Sequence, residues 1–146
     1  MWVAVNDRLP TRSRLAAWGM LIPTTCCLCM CGDELRDHIF IECPFSKDLW
    51  RRMLQKLSLT RLTFHSWMQL LNWPSTAPVR PLRILRSVAV QEIVYNLWAE
   101  RNNRIFKNKV LTTSELFKIL DRQVRNTISA RKTRKHFKNL MAVWLF

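Results

Sequence analysis

Apolar residues recur at intervals of three and four along most of this chain, the period of an α-helix with one buried face. Thr11, after Pro10, suits a helix cap, and residues 12–21 read as a first helix with Leu15 and Trp18 on one side and Gly19 near its end. Pro23 closes that segment. Ser46 reads as the cap of a second helix, which lines up Leu49, Trp50, Met53, Leu54 and Leu57. A short apolar helix follows over 64–71. Residues 82–106 read as one long helix, with Leu85, Ala89, Ile93, Leu97 and Trp98 toward a core. Thr112 and Glu115 have the capping-box spacing and open a last long helix carrying Leu116, Ile119, Leu120, Val124 and Ile128. Between the first two helices, residues 38–43 are too few for periodicity to separate a strand from a helical turn.

The fold class expected is mainly α, with a small metal-holding loop between the first helices and two longer basic helices behind it. Three prolines in 74–81 mark a linker, dividing the chain into 1–73, 74–81 and 82–146. No internal repeat is visible. A run of about 20 apolar residues, as a membrane-crossing helix needs, does not occur. The first residues have neither the basic nor the long apolar stretch of a signal peptide, so an intracellular protein, nuclear or cytoplasmic, is expected.

All five cysteines lie between residues 26 and 43. Cys26, Cys29, His38 and Cys43 give C-x2-C-x8-H-x4-C, four zinc-type ligands within eighteen residues. An odd, clustered set argues against a disulfide scaffold. A site closed by four protein side chains leaves zinc no open position, so a structural Zn2+ is expected. Cys27 and Cys31 keep a shifted ligand register open. The same ligand order with a shorter central gap occurs in zinc knuckles that bind single-stranded nucleic acid.

Charge extends the picture. The chain has 24 Lys and Arg against 10 acidic residues, a net +14, which favours a polyanionic partner such as RNA or DNA. Twelve of the basic side chains fall within 101–140, including Arg101 and Arg104. Lys118, Arg122 and Arg125 share one helix face, and Arg131, Lys132, Arg134 and Lys135 form a run suited to phosphate contact. Trp18, Trp50, Trp67 and Trp98 sit at apolar helical spacing and are expected in the core rather than as stacking platforms. His65 is expected partly buried and His136 exposed. There is no Asp-Asp pair, and the scattered acidic residues offer no two-metal phosphoryl chemistry, so no enzyme is expected.

These residues resemble the zinc-binding domain at the C-terminal end of plant non-LTR (LINE-type) retrotransposon reverse transcriptases. Trp2 with 6–15 resembles that family's "W…RLPT…RL" opening, and Trp18-Gly19 and the Cys26/Cys29 pair follow at the usual interval. Glu34, His38-Ile39-Phe40 and Cys43-Pro44-Phe45-Ser46, closed by Leu49-Trp50, resemble its "E…HLF…CPFS" block. Leu97-Trp98, Arg101-Asn102 and Ile105-Phe106 resemble the "W…RN…F" element that follows it. The resemblance implies the same four metal ligands, and a module detached from the polymerase that usually precedes it. Two functions are expected from this: nucleic-acid binding, or a protein-interaction remnant that packs on a reverse transcriptase polypeptide.

Overall fold

The computed structural model describes residues 1–145, apart from the Trp2 side chain. Among the described residues seven α-helices run in order: α1 Trp2–Val5, α2 Arg12–Ala17, α3 Pro44–Lys56, α4 Trp67–Asn72, α5 Arg80–Phe106, α6 Thr113–Ala130 and α7 Leu140–Leu145. A π-helical turn, His38–Glu42, precedes α3, and a 3-10 turn, Trp73–Thr76, follows α4. No β-strand occurs among the described residues, only one bridge between Thr25 and Asp33. The mainly α expectation holds.

α5 is the scaffold. Its 27 residues span about 40 Å, and it packs on α6, α3, α7 and both short turns. The shared core takes Leu49, Trp50, Met53 and Leu54 from α3, Leu85, Ala89, Ile93 and Leu97 from α5, and Leu116, Leu120, Val124 and Ile128 from α6. Leu140 and Trp144 of α7 close it. Spacing of four along α6 keeps one stripe buried, while Ile119, expected inside, lies at the stripe's edge and is exposed.

Element boundaries moved where local chemistry outweighs periodicity. α2 stops at Ala17 because Gly19 takes φ +92°: its N–H bonds Ala16 O at 3.0 Å and the Met20 N–H bonds Leu15 O at 3.2 Å, the paired bonds of a Schellman cap. Trp18 is thereby left 67% exposed, against the expectation that it is core. Trp50 and Trp67 are buried, and Trp98 is half-buried beneath the Arg101 guanidinium, 4.7 Å from its ring. Ser46 is no cap: α3 begins two residues earlier, and the Ser46 hydroxyl donates to Ile39 O inside the core. Ser66 caps α4, its oxygen accepting from the Gln69 N–H at 3.1 Å. The two other histidines exchange roles: His65 is exposed and His136 half-buried.

The proline-rich stretch enters through Trp73–Thr76, and Trp73 and Ala77 are both buried. Phe64 bridges Trp50 and Trp73 edge-on, at 5.0 and 5.3 Å between ring centroids, which ties this stretch to α3. The Arg86 guanidinium lies 5.1 Å over the Trp73 ring and donates to Thr76 Oγ1 at 2.9 Å. No helix among the described residues is long and apolar enough to cross a membrane.

Candidate metal centre

The loop after α2 folds back on itself through its own backbone. Cys26 N–H donates to Gly32 O at 3.0 Å and Met30 N–H to Cys26 O at 2.9 Å, with Met30 at φ +57° and Gly32 at φ +70°. This turn aims Cys26 and Cys29 the same way. The positive φ is what favours glycine at 32, since a Cβ there would meet His38 Cε1 at 3.4 Å, an ordinary contact. The Cys31 N–H donates to Cys29 Sγ at 3.3 Å, and His38 Nε2 lies 3.3 Å from the same sulfur.

The second half of the set depends on the π-helical turn. Its i to i+5 hydrogen bond, Cys43 N–H to His38 O at 2.7 Å, brings residues five apart to one side, as an H-x4-C spacing requires. Side chains from α3 satisfy carbonyls within this turn: Ser46 Oγ takes Ile39 O, and Trp50 Nε1 donates to Phe40 O at 2.7 Å. Ile39, Phe40 and Ile41 anchor it in the core.

The donor atoms of Cys26, Cys29, His38 and Cys43 all lie within 4.8 Å of one another. Tetrahedral zinc, with ligands at roughly 2.0–2.3 Å, spaces its donors by about 3.5–3.8 Å, so the group fits with small adjustments. Cys26 and Cys43 are fully buried. The Cys26 thiol is drawn down to about 5 by its hydrogen bond from Cys43, against burial, with help from the Cys29 and Leu28 amides and the His38 charge. Cys43 moves the other way, because it holds the proton of that bond and is buried, although the Ser46 and Phe45 amides at the start of α3 favour its thiolate. Three sulfurs and one imidazole gathered this closely are a donor set that suits Zn2+. Cys27 turns away, its Sγ 3.8 Å from Arg101 O, and burial raises its thiol; Cys31 is exposed. Neither joins the group.

Residues 1–50 match the family described as zinc-binding in reverse transcriptase. No curated protein and no solved structure matches the chain. The zinc-binding domain is thus a structural metal module: with four protein ligands, bound zinc supplies a cross-link between the C-x2-C loop and the π-helical turn.

How the zinc-binding domain is held is the part that periodicity did not show. Glu34 is fully buried, and its Oε1 accepts from Arg101 Nη2 at 2.7 Å, Arg101 Nε at 3.1 Å and the Arg12 N–H at 2.8 Å. Arg104 donates to the carbonyls of Cys27 and Leu28 at 3.2 and 3.1 Å, to Leu111 O, and to Glu100 at 2.7 Å. Arg101 and Arg104, counted above among the twelve basic side chains of 101–140, are therefore internal clamps between the zinc loop and α5. Glu34 and Arg101 both stand in the family-like blocks, but nothing in the spacing pairs residues 67 apart.

The basic residues singled out for nucleic acid lie elsewhere. Arg122 and Arg125 are exposed on α6, with Arg125 paired to Asp121 at 2.9 Å. Arg131, Lys132, Arg134 and Lys135 are exposed in the turns between α6 and α7. Among the described residues none of these six hydrogen-bonds to the zinc-binding domain.

Proposed function

We propose that this protein is a non-enzymatic, zinc-stabilised module that binds RNA or single-stranded DNA through the basic surface of α6 and the turns after it. The observation that carries this reading is the state of the charges. Four carboxylates are already neutralised within the fold: Glu34, Glu100, Asp48 and Asp121 are all engaged by Arg or Lys. Arg122, Lys132, Arg134 and Lys135 are exposed with no ion pair among the described residues, so a share of the excess of +14 stands where a phosphate chain can reach it. Zinc holds the loop in shape and takes no part in contacting the ligand.

The test is binding of a labelled single-stranded RNA across a salt series. Six phosphate contacts give a log–log slope of about −4 for a single strand, and neutralising Arg131, Lys132, Arg134 and Lys135 removes up to about 3 of it. No binding at ~50 mM salt refutes the reading.

A second reading has its own support. Trp18, Met20 and Leu21 form an exposed apolar stretch directly before the zinc loop, at 67, 50 and 103% exposure. Such a stretch suits packing on a reverse transcriptase polypeptide, making the module a scaffold. Concentration-dependent self-association that Trp18→Ser and Leu21→Ser abolish would favour it.

A further inference from the structure

A second cluster of positive charge, outside the run that the sequence singles out, sits beside the start of α5. A cleft of about 370 Å³ is lined by Arg80, Arg83, Ser87 and Gln91 of α5 and by Arg131 from beyond α6, with two apolar side chains as its floor. The α5 residues fall at spacings of three and four, so they form one stripe over three turns. No carboxylate lines the cleft.

We propose that this cleft seats a backbone phosphate of the bound nucleic acid, with Arg80, Arg83 and Arg131 as its guanidinium donors. The inference rests on the nucleic-acid reading above and extends its surface from α6 to α5. Three exposed arginines line one cleft with no carboxylate among its lining residues, which makes it a place of positive potential. The helix adds to that potential. α5 has no acidic residue in its first turn and no side-chain cap, so two arginines stand where the helix field already favours negative charge. Two of the three guanidinium groups are held in place by their surroundings. Arg83 Nε is committed to Ala77 O at 3.0 Å, which leaves its terminal amino groups free to fork onto oxygen. Arg131 lies 5.9 Å over the Phe137 ring. The Ser87 hydroxyl donates to Arg83 O at 2.9 Å, and Gln91 offers a neutral donor at the far end. Arg131 belongs to both surfaces, so a strand following the basic run passes into this cleft.

The experiment compares the full zinc-loaded chain with Arg80→Gln and with Arg80→Gln/Arg83→Gln. Arg80 is exposed, so the single variant tests the cleft even if loss of the Arg83–Ala77 bond disturbs folding. Affinity for a labelled ~20-nucleotide oligothymidylate is measured from ~50 to ~200 mM salt. Each lost phosphate contact flattens the log–log slope by about 0.7, so the double variant loses about sevenfold less affinity than wild type over that fourfold salt range. Unchanged slopes in both variants overturn the cleft and leave the nucleic-acid reading standing on 131–135. If wild type binds no oligonucleotide, the nucleic-acid reading fails and the backbone-phosphate proposal fails with it. Inorganic pyrophosphate, followed by the arginine Nε–H resonances, then identifies the source: shifts at Arg80, Arg83 and Arg131 mark a free-phosphate site, and no shift shows that the cleft binds no phosphate.

Discussion

Single residues decide which sulfurs can meet a metal. Cys26 and Cys27 are neighbours in sequence, yet one faces His38 and Cys43 while the other faces the Arg101 carbonyl. The choice is made by the loop's backbone, in which Gly32 keeps a left-handed conformation that a side chain would strain. Native mass spectrometry is therefore expected to find one zinc per chain, lost in Cys29→Ser and kept in Cys27→Ser. Equal loss in both variants contradicts this ligand set. The four ligand positions were legible because zinc chemistry demands few residue types at narrow spacings. The register against Cys27 and Cys31 was not, since either could satisfy a spacing rule and only the fold of the turn distinguishes them.

At the scale of elements, caps and carbonyl accounting settle what periodicity leaves loose. Thr112 and Glu115 open α6 through reciprocal bonds, as their spacing foretold. The Ser46 hydroxyl serves the preceding π-helical turn instead of capping α3, a geometry that six residues of sequence do not announce. α6 is also tied to α3 through one carboxylate. Burial by itself would raise the Asp48 carboxyl, but hydrogen bonds from the Thr113 hydroxyl and from Arg52 and Arg51 outweigh it and hold the group below its ordinary range. A carboxyl lowered in the folded state stabilises fully above its unfolded pKa of about 3.9, and that share disappears as pH falls through the lower folded value. The stability difference between wild type and Asp48→Asn is accordingly expected to be constant near neutrality and to shrink below about pH 4, as denaturant titrations at several pH values would show. Both chains carry the same metal ligands, so the acid sensitivity of the metal site enters both curves alike. A difference that grows on acidification would contradict the assignment.

For the whole molecule, the family match ends at residue 50, whereas the contacts that hold the zinc-binding domain run on into α5. The Glu34–Arg101 pair is buried at 0 and 4% side-chain exposure, so removing one partner leaves an uncompensated charge in the core. Glu34→Leu is expected to cost about 3–5 kcal/mol in denaturant unfolding, with much of it recovered in Glu34→Leu/Arg101→Met. A single-variant loss under about 1 kcal/mol would show that the pair does not anchor the domain. Zinc should stay bound in both, because neither residue is a ligand.

By itself the sequence determined the helices with strong three-and-four periodicity, the four zinc ligands and the excess of positive charge, since each depends on residues near one another in the chain. Only the tertiary structure decided which charges are available. Arg101 and Arg104 look like their basic neighbours in sequence but are spent on Glu34, Glu100 and loop carbonyls, while Arg80 and Arg83 meet Arg131 across the fold. Burial and ion pairing depend on what lies across the core from a side chain, and a one-dimensional pattern carries no record of that.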